Sequence, residues 1–296
     1  MTLFLNAIVA GLAIGSVYGM IALSYTIVFN ATHVFNVAQG DIVAVGVLLT
    51  WLFLDQAHVP QLAALLLVVA GVAVVCLVEE RLVVRRFMAA GHGTGGIGVF
   101  IATLAFALIL ETVNTLAYGS RPLAEVQGIA GSSAIRLGSV TVTPKLLLAF
   151  VALVVITGLL ELFYKRSWLG TAMRACAEDR EVTALRGVNP VRIGQFAFGI
   201  AGVVSGIAGF ILAPIVTSDV TVGLTYGLKG FIALAIGGFG SFRGALLGAW
   251  ALGVSEQLFD LHASANYEGV VGLGLLLVVL AVRPAGLFGQ GAVRVV

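Results

Sequence analysis

MTLFLNAIVAGLAIGSVYGMIALSYTIVF, Met1 to Phe29, contains no Lys, Arg, His, Asp or Glu. A membrane span needs about 20 mostly apolar residues, and this stretch exceeds that. It has no basic residue ahead of it and no short apolar core followed by a cleavage site, so it reads as a retained span rather than a removable signal. The rest of the chain continues in the same vein. Apolar stretches recur at Leu3 to Val28, Val37 to Leu54, Gln61 to Val78, Ile97 to Ala117, Leu146 to Tyr164, Ile193 to Pro214, Gly244 to Phe259 and Tyr267 to Val282. A ninth, Tyr226 to Phe242, is short and Gly-rich, as expected of a broken or re-entrant helix covered by protein.

Composition agrees. Of 296 residues, 60% are hydrophobic, only 10% are charged and 38 are Gly, with a mean hydropathy of +1.10. That leaves too little polar surface for a water-soluble globule. The expected fold is an all-α polytopic membrane protein of about eight to nine transmembrane or re-entrant helices. No Pro- or Ser-rich linker divides it, so residues 1–296 read as one domain.

Orientation follows from the basic residues. With the N-terminus outside, Arg81, Arg85, Arg86, Lys165, Arg166, Arg174, Arg180, Arg186, Arg192, Arg243, Arg283 and Arg294 lie inside, against Arg121, Arg136, Lys145 and Lys229 outside. Twelve against four places the C-terminus in the cytoplasm. This count requires the ninth segment to be a crossing. The longest outer loop, Tyr118 to Pro144, carries the alternating run Ile135, Leu137, Val140, Val142, compatible with a small hairpin, an interfacial cap or a plain solvated loop.

Two halves resemble each other in outline. Gly11, Gly15 and Gly19 precede a polar break and Gly40; Gly202, Gly206 and Gly209 precede Gly230. Inverted halves are a common transporter plan. Independently of that, Gly11, Gly15 and Gly19, like Gly244 and Gly248, form small faces on which helices approach closely.

Several chemistries are excluded. A net charge of +2 with scattered Lys and Arg gives nucleic acid no basic face. Cys76 and Cys176 show no metal spacing and read as packing residues. His33, His58, His92 and His262 share no helix face, so no metal site is expected. There is no G-x-x-x-x-G-K-[ST] loop and no Lys that follows Gly, so this chain does not hold ATP in the P-loop manner. No nucleophile and base constellation marks an enzyme.

Polar residues at membrane depth are costly and point to function. Glu111, Asn114, Thr115 and Tyr118 form one helical stripe, which lines either an outer pore mouth or a hydrogen-bonded helix contact. Tyr18, Ala22 and Tyr25 form another, best read as packing with Tyr18 bordering the path. Between the first two helices, Asn30, Thr32, His33, Asn36, Gln39 and Asp41 crowd a short break around Gly40. This break either offers hydrogen bonds to a crossing solute or is an inner turn whose helix start is stabilised by Asp41. Glu256 and Asp260, four apart, read as a wet helix end, or as a cation site if buried.

The segment Ser167 to Pro190 is the longest charged loop. Thr171 is expected to cap a short helix to Cys176, and Asp179 to start another that stops at Gly187, with Pro190 opening the next span. Val182, Ala184 and Leu185 give the second piece an apolar side, while Arg174, Glu178, Arg180 and Glu181 stay polar. Such a helix lying on the inner surface suits docking by a soluble subunit.

Five pieces together carry a family resemblance: GLAIGSVYGMIALSYTIVF at Gly11 to Phe29, NVAQGDIVAVG at Asn36 to Gly46, GTAMRACAEDREVTALRGVNP at Gly170 to Pro190, GGFGSFRGALLGA at Gly237 to Ala249 and VRPAGLFG at Val282 to Gly289. Along nearly its whole length the chain resembles permease subunits of branched-chain amino acid ABC importers, in the half usually paired with a second, related permease. The resemblance implies a multi-pass protein of a bacterial inner membrane, without a cofactor of its own. Implied partners are a second permease, two cytoplasmic ATPase subunits carrying ATP and Mg, and an external substrate-binding protein. It also implies that residues 166–190 form the coupling loop, with Arg174, Ala175, Glu178, Asp179, Ala184 and Gly187 against the ATPase. The substrate path is then expected at Tyr18, Asn36, Gln39, Gly40 and Glu111. Two departures bear on the cargo: the family's N-F-A-H-G is here Asn36 to Gly40 with Val37 and Gln39, and a frequent Pro after G-x-G-S is replaced through Phe242 and Arg243. Cargo is therefore expected to be a branched-chain or other amino acid, or a related urea, amide or organic acid. The competing classes are a self-sufficient secondary transporter or channel with Asp41, Glu111 and Glu256 as ion sites, and a membrane scaffold or receptor subunit.

Overall fold

The computed structural model describes residues 2–89, 95–119, 123, 126, 135–137, 140–216, 219, 221–261 and 268–289. His92, His262, Arg121 and Arg294 lie outside them. The helices are α1 (Thr2–Thr32), α2 (Gln39–Trp51), α3 (Gln61–Glu79), α4 (Arg85–Ala89), α5 (Gly95–Tyr118), α6 (Pro144–Arg166), α7 (Trp168–Glu178), α8 (Arg180–Leu185), α9 (Pro190–Leu212), α10 (Val222–Gly237), α11 (Phe242–Asp260) and α12 (Glu268–Val282). Single π turns, Leu52–Gln56 and Glu80–Val84, prolong α2 and α3. The all-helical expectation needs one amendment. The alternating run in the outer loop forms a hairpin of β1 (Ile135–Leu137) and β2 (Val140–Val142), with Ile135 opposite Val142 and Leu137 opposite Val140.

Every expected apolar stretch is helical, but lengths differ. Five helices are long and apolar enough to cross a membrane, or six if α10 and α11 form one bent span. Those two meet at 116° across Gly238 to Ser241, where Gly238 (φ 99°) and Gly240 (φ 85°) take left-handed backbone that a side chain would strain. Helix α2 has only 13 residues and α12 only 15. The chain is thus polytopic, with short helices covered by the long ones.

Two helices occupy the middle. In α1 and α9, 72% and 67% of the apolar window is buried, against 22% in α3 and α5 and 28% in α6. The outer helices bury one narrow seam each, as α3 does with Ala64, Val68, Val72 and Cys76. Their other faces, Leu62, Leu66 and Leu67 among them, are exposed apolar surface suited to lipid. Glycine brings the central helices close: a Cβ on Gly11 would lie 2.6 Å from the Val254 backbone of α11, and one on Gly202 2.6 Å from that of Ala73 in α3. At such separations dispersion and small residues hold helices together in lipid. So α1 rests on α11 and α10, while α9 rests on α3 and α2. The segment after α12 returns to the bundle, where the Leu287 and Phe288 N–H groups donate to the Ile236 and Gly237 carbonyls that end α10. Those carbonyls would otherwise lack partners.

Candidate functional site

Within this frame α2 and α10 cross at glycine. A Cβ on Gly40 would lie 2.5 Å from the Gly223 carbonyl oxygen and 2.7 Å from Gly227 Cα. The Tyr25 hydroxyl reaches the Gly227 carbonyl at 3.4 Å, and Asp41 lies against Gly223. On either side of this crossing sits a buried polar cluster built around one carboxylate.

The first joins α1, α10 and α11. The Tyr18 hydroxyl donates to Glu256 Oε2 at 2.9 Å, and Lys229 Nζ donates to both Tyr18 Oη at 2.9 Å and Glu256 Oε2 at 3.2 Å. Lys229 also lies 5.0 Å from the centre of the Tyr18 ring. The Glu256 side chain is 2% exposed and that of Lys229 15%. This corrects two expectations: Glu256 is no wet helix end, and Lys229 is no outer-loop residue. A charge on an apolar helix is tolerable when a partner of opposite sign meets it from the next helix.

The second cluster joins the polar break to α2, α3 and α9. Asn36 Nδ2 donates to Glu79 Oε2 at 2.9 Å and to Gln39 Oε1 at 3.1 Å. Gln39 Nε2 donates to Ser205 Oγ at 2.7 Å, and Asn36 Oδ1 accepts from the Ala38 N–H at 3.0 Å, fixing the turn into α2. The break is thus a turn and a polar centre at once. Asn36 and Gln39 are 2% and 0% exposed, so in this conformation the bundle is closed around them.

Glu111 stands apart, half-buried on α5. Its stripe does turn inward: Asn114 is buried and Tyr118 meets the Trp51 ring edge-on at 6.1 Å, whereas Val113 and Leu116 face out. Glu79, Glu80 and Ser205 were missed by the sequence reading. Two adjacent Glu at the end of an apolar run were the available signal; nothing distinguished Ser205 from a packing serine.

The loop at 166–190 folds as two helices. Ser167, not Thr171, caps α7, its Oγ accepting from the Gly170 N–H at 2.9 Å. Thr171 instead donates from inside the helix to the Ser167 carbonyl. Gly170, Ala172, Met173 and Cys176 of α7 are buried against the bundle. Asp179 Oδ1 caps α8 through the Val182 N–H at 2.9 Å, and Thr183 Oγ1 ties α8 back to the Ala175 carbonyl at 3.0 Å. Gly187 ends the pair at φ 85°, and Asn189 with Pro190 starts α9 as expected. The outward surface carries Arg174, Glu178, Asp179, Ala184 and Gly187, with Ala175 half-buried. Beside them Val182 is 46% and Leu185 88% exposed. At the other departure, Phe242 meets the Tyr164 ring edge-on at 4.8 Å, and Arg243 Nε pairs with Glu161 at 2.5 Å.

Glycine-crossed helices around buried polar clusters, with an exposed helix pair on a loop, define a polytopic transport permease. The chain belongs to the family of the branched-chain amino acid transport system / permease component, whose model matches residues 7–280. It is 30% identical to the high-affinity branched-chain amino acid transport system permease protein BraD of Pseudomonas aeruginosa, over 98% of this chain and 97% of that one. It is 29% identical to the corresponding protein LivH of Salmonella typhimurium, with the same coverage. In fold alone it is similar to PsaBC from Streptococcus pneumoniae in complex with Fab, at a TM-score of 0.50 and 10% identity, over 96% of this chain and 92% of that one. As a member of this permease family with several apolar spans, it is a multi-pass protein of the inner membrane.

Proposed function

We propose that this chain is the membrane-spanning permease subunit of an ATP-driven ABC importer, passing a branched-chain or related amino acid delivered by an external binding protein. The observation that carries this reading is the family match over residues 7–280. Partners in this reading are a second related permease and two cytoplasmic ATPase subunits that bind ATP and Mg. Residues 1–296 act as one permease domain, with 166–190 as its coupling loop and Arg174, Ala175, Glu178, Asp179, Ala184 and Gly187 against the ATPase. The apolar surface of Val182 and Leu185 beside those residues supports this, since exposed apolar side chains among charges suit a protein interface.

The N-terminus is outside and the C-terminus cytoplasmic, with eight to nine helices spanning or re-entering. Moving Lys229 into the bundle sharpens the basic-residue asymmetry to twelve against three. The chain is an inverted repeat in which α1, α10 and α11 mirror α9, α2 and α3. In support, each trio packs through glycines and encloses a polar cluster with its carboxylate on the third helix, Glu256 or Glu79. Cargo passes along Tyr18, Asn36, Gln39, Gly40 and Glu111 when these helices part. Engagement of Glu256 by Lys229 and Tyr18 weighs against its use as an ion site in a self-sufficient carrier.

The test is ATPase activity of the reconstituted assembly. Binding protein with leucine should stimulate it, and Arg174→Ala or Glu178→Ala should abolish the stimulation. Uptake by this polypeptide alone, driven by an ion gradient, would overturn the reading.

A further inference from the structure

Where the π turn Glu80–Val84 meets the starts of α8 and α9, the structure encloses a cavity of about 320 Å³, within the roughly 300–1,000 Å³ of small-molecule sites. Glu80, Arg85 and Arg180 line it. Glu80 is 4% exposed, and its Oε2 is buried without a hydrogen-bond partner. The buried Nε of Arg180 lacks one too. A buried acceptor and a buried donor left unmade on one cavity are each costly, and each calls for a complementary group. Burial also holds the Arg180 guanidinium below its ordinary range, a cost an anion beside it would relieve. The remaining wall is apolar, with Val84, Met88 and Val191.

We propose that this cavity binds a free aliphatic α-amino acid, its ammonium on Glu80, its carboxylate on Arg180, and its side chain against Val84, Met88 and Val191. No simpler ligand meets all three demands. A carboxylate alone leaves Glu80 unmatched, an amine alone leaves Arg180 unmatched, and a small polar zwitterion leaves the apolar wall bare. Arg180 opens α8, whose Thr183 is bonded to α7. A bound amino acid therefore ties the 166–190 loop to the end of α3. Resting on the permease reading, this makes the cavity a product-side sensor: solute accumulated in the cytoplasm restrains the loop that couples to the ATPase.

The test is binding of L-leucine, isoamylamine and 4-methylpentanoate to the purified full chain in nanodiscs, without the external protein. Leucine should bind saturably, each half-molecule at least about 10-fold more weakly, and Arg180→Gln and Glu80→Gln should each weaken leucine by a similar factor. Absence of saturable leucine binding overturns the proposal. So does equal binding by either half-molecule, or unaltered binding by Arg180→Gln. The half-molecule comparison needs no variant, so a misfolded variant does not spoil the test. In proteoliposomes of the assembled transporter, lumenal leucine should slow leucine uptake several-fold, within the range of measured allosteric couplings. Val191→Trp, scaled to its own uptake without lumenal leucine, should lose that slowing. Uptake that ignores lumenal leucine overturns the sensor role, whereas failure of all uptake counts against the permease's cargo and leaves the binding result standing.

Discussion

Lys229→Met separates a buried charge from its partner, and the size of the effect follows from burial. With Glu256 2% exposed, removing its partner leaves a charge with almost no water, and breaking such pairs costs about 3–5 kcal/mol. The Tyr18 hydroxyl still donates to Glu256, but it does so in the native protein as well and offsets nothing. Lys229 is 15% exposed and partly hydrated, which places the expected loss near the lower end, about 3 kcal/mol. Glu256→Gln should cost less, about 1–2 kcal/mol. Its amide oxygen still accepts from Tyr18 and Lys229, and the long Lys229 side chain can turn its ammonium toward water. Lys229→Met with Glu256→Leu removes both charges and fills the space, and should lie within about 1 kcal/mol of the native protein. The singles then sum to far more than the double, the signature of one interacting unit. Equilibrium unfolding in mixed micelles of dodecylmaltoside and SDS, followed by circular dichroism, measures all four proteins. A Lys229→Met protein within about 0.5 kcal/mol of native, or a double variant equal to the sum of its singles, would refute the buried-pair reasoning.

Gly40→Val should destabilise the bundle by about 3 kcal/mol or more, because its Cβ would lie 2.5 Å from the Gly223 carbonyl; Gly158→Ala, with nothing within 4 Å, should stay within about 1 kcal/mol. Thermal unfolding monitored by size exclusion separates the two, and equal midpoints would count against a tight α2–α10 crossing. Leu185→Asp should leave the unfolding midpoint unchanged, since the side chain is 88% exposed, yet remove stimulation of the partner ATPase by the loaded binding protein; retained stimulation would take α8 out of the coupling surface. Cys176, 1% exposed with its thiol pushed up by burial, should resist maleimide in the folded protein and react once SDS opens it. Rapid native labelling, read by mass spectrometry, would show that α7 does not stay packed.

Sequence alone determined what needs only composition, periodicity and local signals. The uncharged run from Thr2 to Thr32 had to be helical, because an apolar chain in lipid must satisfy its backbone internally. The alternation from Ile135 to Val142 was visible as a hairpin, and Asn189 with Pro190 marked the start of α9. Asn36 and Gln39 stood out because amides between apolar runs are costly without partners. What those partners are was not legible. Glu79 lies 43 positions from Asn36, Ser205 166 from Gln39 and Glu256 238 from Tyr18. No local pattern encodes such pairings. Glu256 beside Asp260 looked like a solvated helix end until α10 brought Lys229 against it. The cavity between Glu80 and Arg180 likewise exists only because α9 carries the loop back beneath α3. Burial of charge is a property of neighbours, and tertiary packing alone decides which side chains become neighbours.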